Sequence, residues 1–245
     1  MENMIVADEK FYGRLKARKL TQRQQWCFDT LLSQVKIASF AEVDFENYPM
    51  IFFEIGFGSG EHIAQMALNN QNALYVGCEP FINGVASLLT KIDDLQIKNI
   101  RIYQGDARCI IKEIPSESLD GVFLLFPDPW AKRRHIKRRF LQESTITNIY
   151  AKLKSGGFWR IATDHKDYAS WVLKLFNNEK FRCLFDGQFF DRETRQEEQV
   201  WPKTRYEQKA TGEILYASFV KNAHICSSEH MSAKASSISS SNSSR

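Results

Sequence analysis

Short apolar runs alternate with helix-like segments along most of the chain. Residues 24–37 carry apolar side chains three, four and seven positions apart, which is the spacing of one helix face. Similar patterns predict helices over 61–68 and 81–92, and two later helices through Ile149 and Val172. The apolar runs between them predict strands at 50–55, 74–78, 100–103, 119–126, 158–162, 181–185 and 214–220. This alternation predicts an α/β fold with a mostly parallel, doubly wound sheet.

Composition divides the chain into three regions. Residues 1–40 hold a basic arm and one helix, and residues 41–222 carry the alternating pattern of the predicted main domain. Residues 223–245 are rich in serine, which accounts for ten of the last nineteen positions. Such a segment cannot bury enough apolar surface to offset its ordering entropy, so we expect a disordered tail. Within the main domain, the segment 154–157 with its two glycines is expected to end the helix through Ile149.

Charge and cysteine content narrow the class of protein. The net charge of +4 is mild, but the cations cluster at 10–23 and at 132–139. Such clusters favour a phosphate-rich partner, although a run of charge can also be a solvated face. The five cysteines are scattered without a C-x-x-C pair. This argues against a disulfide framework or a metal site and favours a reducing, cytoplasmic compartment. No apolar run resembles a signal peptide or reaches membrane-spanning length, so we expect no membrane association.

Acidic residues and glycines fall at the predicted carboxyl ends of the strands. In a doubly wound sheet the ligand lies at that edge. The turn after the first strand has the spacing G-x-G-x-G, which favours S-adenosylmethionine over a nicotinamide cofactor, although a plain tight turn is an alternative. Carboxylates suit this cofactor because it carries an ammonium, a sulfonium and an adenine amino group. The candidate cofactor residues are Glu54, Gly56, Gly58, Glu79 and Asp106.

The segment Phe126-Pro127-Asp128-Pro129-Trp130 follows the fourth predicted strand directly. A carboxylate held between two prolines at a strand end is placed like an active-site group, although it could also cap a turn. Six Lys or Arg residues and one His then occupy seven of the eight positions 132–139, where they could hold a polyanion near Asp128. Trp130 suits either a core position or a stacking surface for a base.

These motifs resemble the tRNA (guanine-N7-)-methyltransferase family of the bacterial, single-chain type. The resemblance spans about residues 10–220, in the family's order and spacing. One departure is Cys78, where a larger apolar residue is expected, and we expect Cys78 to pack as a small hydrophobic residue. The resemblance rests on Glu54-Ile55-Gly56-Phe57-Gly58-Ser59-Gly60, Gly105-Asp106-Ala107, Phe126-Pro127-Asp128-Pro129-Trp130 with Lys132 and the basic residues after it, Thr163-Asp164, and Thr204-Arg205-Tyr206-Glu207.

The resemblance implies a Rossmann-like class I S-adenosylmethionine-dependent methyltransferase fold. It implies methyl transfer to N7 of a guanosine in the tRNA variable loop, with Asp128 as the catalytic residue. We expect no obligate protein partner, and a monomer or weak homodimer. The cofactor contacts implied are Glu54, Glu79, Asp106 and Asp128. The substrate and RNA contacts implied are Lys132, Arg134, His135, Lys137, Arg138, Arg139, Asp164, Thr204, Arg205, Tyr206 and Glu207.

Several alternatives remain open from the residues themselves. Asp164 precedes a helix and could be only its N-cap. A methyltransferase for an exocyclic amino group often carries Asn or Asp followed by two prolines, whereas here one proline lies on each side of Asp128. A catalytically silent RNA-binding subunit on the same fold is a second alternative, and a nicotinamide dehydrogenase is a third. The intact acids argue against the silent subunit, and the glycine spacing argues against the dehydrogenase.

Overall fold

The computed structural model describes residues 13, 15, 18–183, 189–190, 204–210 and 213–222. The predicted tail, most of residues 1–17 and the end of the sixth predicted strand at 184–185 lie outside the described residues. Two short 3₁₀ helices cover Phe40–Glu42 and Arg133–Arg138. The α-helices are α1 (Gln22–Val35), α2 (Glu61–Asn69), α3 (Ile82–Asp94), α4 (Ala107–Ile111), α5 (Glu143–Lys152), α6 (Lys166–Phe176) and α7 (Arg205–Lys209). The strands are β1 (Met50–Ile55), β2 (Ala73–Cys78), β3 (Ile100–Tyr103), β4 (Leu119–Leu125), β5 (Leu153–Thr163), β6 (Phe181–Cys183), β7 (Phe189–Phe190) and β8 (Ile214–Lys221).

The strands form one sheet in the order β3-β2-β1-β4-β5-β8-β6, and β7 also pairs with β8. Strands β1 to β5 are mutually parallel, whereas β8 runs antiparallel to β5, β6 and β7. The central strands β1 and β2 are almost entirely buried, because helices cover both faces of the sheet. The prediction of a mostly parallel, doubly wound sheet is confirmed.

Two layers of helices enclose two apolar cores. Helices α1, α2 and α3 pack on one face, where Phe52 and Leu88 belong to the same buried cluster. Helices α4, α5 and α6 pack on the other face, around Phe53 and Tyr168. Helix α1 belongs to this packing, since its Cys27 is fully buried in the first cluster. None of the described helices combines the length and the apolar composition of a membrane span.

The connection from α5 to β5 differs from the prediction. Helix α5 already ends at Lys152, and the apolar Leu153 begins β5 instead of continuing the helix. Gly156 has a positive φ of 77°, and the pairing of β5 with β4 shifts register across this segment. The glycines therefore form an irregularity within a strand instead of a helix cap. Helix α4 and the 3₁₀ helix at 133–138 were not predicted, because they are too short to show a periodic pattern.

Candidate active site

A cleft of about 590 Å³ opens at the carboxyl ends of the parallel strands. Ligands bind at this edge of a doubly wound sheet because the connections diverge there. The cleft brings together the glycine-rich turn, two of the strand-end acids and the segment around Asp128. Its predicted lining residues are Gly56, Gly58, Glu79, Asp106, Asp128, Arg138 and Tyr206, and Trp130 lines it as well.

The glycine-rich turn between β1 and α2 forms the floor of the cleft. Its three glycines, at positions 56, 58 and 60, all have positive φ, which side-chain-bearing residues rarely adopt. A Cβ on Gly60 would lie 2.7 Å from a methyl group of α3, so this helix packs directly against the turn. Lys91 of α3 also donates a hydrogen bond to the carbonyl oxygen of Ser59 at 2.9 Å. Helix α3 thus holds the turn on one side. On the other side, Gly56 and Gly58 expose their backbone to the cleft.

Glu79 follows β2 and is buried in the wall of the cleft, with 8% of its surface exposed. Its carboxylate accepts hydrogen bonds from the N–H groups of Gly58, at 2.8 Å, and Phe81, at 2.9 Å. Burial raises the pKa of Glu79 to about 7 against the effect of these bonds, and the charges of Asp128 and Glu54 add to the rise. The carboxyl group therefore titrates near neutral pH.

The structure places Glu54 behind the cleft, in contact with helix α2. Because side chains alternate along β1, Glu54 points to the face covered by α1 to α3 and does not line the cleft. It is 4% exposed, and its Oε2 lies 2.6 Å from Nδ1 of His62 on α2. The His62 ring packs edge-on against Phe123, with ring centres 4.6 Å apart. Glu54 thus links β1 to α2, the two elements that flank the glycine-rich turn. The sequence did not predict His62, because a single histidine on a helix carries no specific signal.

Asp106 lies where predicted, at the end of the loop after β3, and it begins α4. Its carboxylate accepts hydrogen bonds from the backbone N–H of Arg108 at 2.9 Å and from the Arg108 guanidinium at 2.5 Å. In the same wall, the thiol of Cys78 donates to the carbonyl oxygen of Gly105 at 3.0 Å. Cys78 is 1% exposed, and burial raises the pKa of its thiol. The prediction that Cys78 packs as a small buried residue is confirmed.

The segment around Asp128 leaves β4 in an unusual backbone conformation. Phe126 and Trp130 have positive φ values of 53° and 42°, which cost free energy in residues other than glycine. The N–H of Phe126 donates to the carbonyl oxygen of Ala162 on β5 at 2.8 Å. Asp128 is exposed at the cleft, and none of the described residues donates a hydrogen bond to its carboxylate. Within this part of the chain, Asp128 therefore does not act as a turn cap.

Trp130 is neither a core residue nor a free surface residue. It is half-buried at the cleft, and the guanidinium carbon of Arg138 lies 5.1 Å from its ring centre. The ring of His135 meets it edge-on at 5.7 Å. Partial burial and the cations Arg138, Arg134 and Lys132 lower the pKa of His135. The neighbouring cations therefore disfavour the charged form of His135.

The basic run divides into exposed and buried cations. Lys132, Arg133, Arg134 and Lys137 are exposed, as RNA contacts must be. Arg139, also predicted as an RNA contact, is only 4% exposed and differs in this from the other predicted contacts of the run. Its guanidinium packs against the rings of Tyr168 and Trp171 on α6.

Asp164 is exposed at the carboxyl end of β5 and does not cap α6. The N-cap position belongs to His165, whose side chain makes no capping bond, so the N-cap alternative for Asp164 is wrong by one residue. The exposed carboxylate remains a candidate substrate contact.

The segment 204–207 separates into two pairs. Thr204 begins α7, and its hydroxyl oxygen accepts the N–H of Glu207 at 3.0 Å, with both residues buried. Arg205 and Tyr206 are exposed, and Tyr206 lies beside the glycine-rich turn, 3.3 Å from where a Cβ on Gly58 would be. The side of the ring that faces the turn is partly desolvated, and this, followed by the charges of Glu79 and Asp128, raises the pKa of Tyr206. Tyr206 is thus the member of this segment that reaches the cleft.

Comparison with solved structures shows the fold. The chain resembles the 16S rRNA methyltransferase KamB with a TM-score of 0.51 and 11% identity, over 72% of this chain and 90% of that chain. It also resembles the aminoglycoside resistance methyltransferase NpmB1 with a TM-score of 0.50 and 13% identity, over 72% of this chain and 89% of that chain. The predicted class I methyltransferase fold is therefore confirmed.

Comparison with protein sequences shows the family. Residues 49–214 match a family model described as "Putative methyltransferase". A tRNA (guanine-N(7)-)-methyltransferase of Zymomonas mobilis is 41% identical, over 82% of this chain and 88% of the relative. One of Caulobacter vibrioides is 40% identical, over 82% of this chain and 89% of the relative. This chain belongs to the tRNA (guanine-N7-)-methyltransferase family.

Proposed function

We propose that this chain transfers the methyl group of S-adenosylmethionine to N7 of a guanosine in tRNA, and that the guanosine lies in the variable loop. The observation that carries the proposal is the position of Asp128. Its carboxylate opens into the cleft that holds the glycine-rich turn, and exposed cations follow it within a few residues. The Asp128 carboxylate thus lies between a cleft that could hold a small molecule and a surface that could bind a polyanion.

The residues of the cleft fit S-adenosylmethionine. The bare backbone at Gly56 and Gly58 lets a ligand approach closely, and Glu79 and Asp106 flank it with negative charge. Glu79 would accept from ribose hydroxyls, and the loop at Asp106 would meet the adenine. When bound, the cofactor supplies an electrophilic methyl group and leaves as S-adenosylhomocysteine. Arg108 already occupies part of the Asp106 carboxylate, so the adenine would share that group with Arg108.

The titration of Glu79 predicts a pH-dependent cofactor affinity. The ionised carboxylate keeps its two backbone bonds and still accepts from hydroxyl groups, whereas protonation removes the charge and one acceptor. Affinity should therefore fall as the pH drops through about 7. We expect S-adenosylhomocysteine to bind about tenfold more weakly at pH 6 than at pH 8.5, measured by calorimetry. In Glu79→Gln the profile should be flat, and an unchanged slope in that variant would assign the titration to another group.

The chain needs no general base for this reaction. Guanine N7 has an in-plane lone pair and no proton, so nothing must be removed before attack. Positive charge arrives on the purine as the new bond forms, and the Asp128 carboxylate would stabilise it more than the neutral ground state. Asp164, exposed at the end of β5, would accept hydrogen bonds from N1–H and the amino group. The remaining contribution of the protein is to hold both reactants in line.

The exposed cations at 132–137 should govern tRNA affinity and its dependence on salt. Neutralised phosphates release counterions, so each lost contact should flatten the slope of log affinity against log salt by about 0.7–0.9. The double variant Arg134→Gln/Lys137→Gln should bind tRNA about tenfold to a hundredfold more weakly at low salt, in a filter-binding assay.

The matched control is Lys98→Gln/Lys174→Gln, which removes two exposed cations that lie before β3 and in α6 and do not line the cleft. It should change neither the tRNA affinity nor the slope. Equal effects of the two double variants would show that net charge alone attracts tRNA and would contradict a local binding surface.

The test of the proposed function is a transfer assay with labelled S-adenosylmethionine and unmodified tRNA. The product is mapped by chemical cleavage at N7-methylguanosine. Label at a single variable-loop guanosine supports the proposal. Label on an exocyclic amino group would favour the amino-group methyltransferase, and salt-sensitive binding without transfer would favour the silent RNA-binding subunit.

Two further parts of the proposal concern assembly and location. We expect a monomer or weak homodimer with no obligate protein partner, because the described residues of a single chain form both the cleft and the exposed cation run beside it. Light scattering on the purified protein, with and without tRNA, tests this. The scattered cysteines support a cytoplasmic location, where tRNA is available.

A further inference from the structure

Arg139 ends the basic run but faces the interior. Only 4% of its surface is exposed, whereas its neighbour Lys137 is exposed. A phosphate group could not reach the Arg139 guanidinium without rearrangement of the surrounding chain. The charge at this position must therefore serve a group inside the protein.

One contact of Arg139 is with the segment that carries Asp128. Its Nε donates a hydrogen bond to the carbonyl oxygen of Pro129 at 2.9 Å. Prolines 127 and 129 have no N–H, so this segment has few ways to bond to the rest of the protein. The segment is bounded by the positive φ values of Phe126 and Trp130, and such a backbone persists only where its surroundings hold it. The bond from Phe126 to Ala162 holds one end, and the Arg139 bond holds the other.

The second contact of Arg139 is with helix α6. Its guanidinium carbon lies 5.4 Å from the ring centre of Tyr168 and 5.5 Å from that of Trp171. Both rings belong to α6, which begins just after Asp164. A guanidinium placed on two aromatic faces is stabilised by cation–π attraction, and lysine reproduces this stacking poorly. Arg139 thus joins the segment carrying Asp128 to the helix that follows Asp164.

We infer that Arg139 is a positioning residue for methyl transfer, which fixes Asp128 and Asp164 relative to each other, and that it is not an RNA contact. The inference rests on the proposed function, since it concerns the same two carboxylates. Loss of Arg139 should leave phosphate contacts intact and let the Asp128 segment relax. The effect should fall on the transfer rate, and the affinity for tRNA should stay the same.

The experiment compares Arg139→Met with Lys137→Met in the full chain. Methionine keeps much of the apolar stem and removes the donor and the charge. Arg139→Met should lower the single-turnover transfer rate at saturating tRNA at least thirtyfold, while the tRNA dissociation constant and its salt slope change less than twofold. Lys137→Met should weaken tRNA binding and flatten the slope by about one contact. Arg139→Lys, which keeps the charge and one donor, should recover part of the rate.

Binding of S-adenosylhomocysteine, measured by calorimetry, reports whether each variant retains its cleft. If Arg139→Met loses this binding, Arg139→Lys is judged by the same rate and salt measurements. A flattened salt slope with an unchanged rate would overturn the inference in favour of an RNA contact. Loss of cofactor binding in both variants would overturn it in favour of a general folding role. No transfer by the wild type would instead count against the proposed function itself.

Discussion

Asp128→Asn should lower the rate of methyl transfer by about a hundredfold or more while tRNA and S-adenosylhomocysteine bind nearly as before. Asparagine keeps the shape of the side chain and removes its charge, so it loses the stabilisation of the positive charge that develops on the purine. The exposed carboxylate makes no hydrogen bond to the described residues, so its removal should not disturb the fold around it. Single-turnover kinetics at saturating tRNA, combined with binding measurements, separate these effects.

Asp167→Asn is the matched control for Asp128. Asp167 is also an exposed aspartate, but it lies in the first turn of α6 and does not line the cleft. Its replacement should leave the rate within about twofold. A rate for Asp128→Asn that stays within threefold of the wild type would remove Asp128 from the mechanism.

Gly84→Ala should have the second large effect, on cofactor binding and on stability. A Cβ at Gly84 would lie 2.3 Å from the carbonyl oxygen of Gly58 and 3.2 Å from Cγ of Glu79. The first of these atoms is backbone, so α3 or the glycine-rich turn must move. We expect at least a tenfold loss in affinity for S-adenosylhomocysteine, measured by calorimetry. Overpacking of this kind should also lower the free energy of unfolding by about 1–3 kcal/mol, measured with urea.

Gly156→Ala separates this steric effect from the ordinary cost of replacing a glycine. Gly156 has a positive φ of 77°, and a Cβ there would meet no atom within 4 Å. The variant should lose about 1 kcal/mol through backbone strain and bind the cofactor as the wild type does. Wild-type affinity in Gly84→Ala would show that the turn tolerates displacement, which contradicts its role as a rigid floor.

The sequence predicted the sheet well because its strands are short apolar runs between clear turn signals. The predicted bounds of β1 and β3 are those observed, and the acid or glycine after each strand marks the cleft edge. The positions of Glu79 and Asp106 followed from this topology alone. Family resemblance added the segment 204–207, which has no periodic signal. Its Tyr206, on the short helix before β8, lines the cleft.

The surroundings of two predicted site residues, Glu54 and Arg139, could not be read from the sequence, because they depend on distant parts of the chain. Alternation along β1 places Glu54 on one face of the sheet, but only the packing of α2 provides His62 as its partner. The basic run contains six cations that are equivalent by sequence. Arg139 faces the interior because its guanidinium packs on the rings of Tyr168 and Trp171. These rings belong to α6, about thirty residues later in the chain.

The central claim is that guanine N7 is the atom that receives the methyl group. It is tested most directly with two tRNAs that differ in one atom, one carrying guanosine and one carrying 7-deazaguanosine at the mapped variable-loop position. In the second tRNA a carbon replaces N7 and the lone pair is absent. We predict one methyl group per guanosine-containing tRNA and none on its 7-deaza counterpart, with equal binding of both. Methyl transfer to the 7-deaza tRNA at that nucleotide would contradict the claim and assign the reaction to another atom of the base.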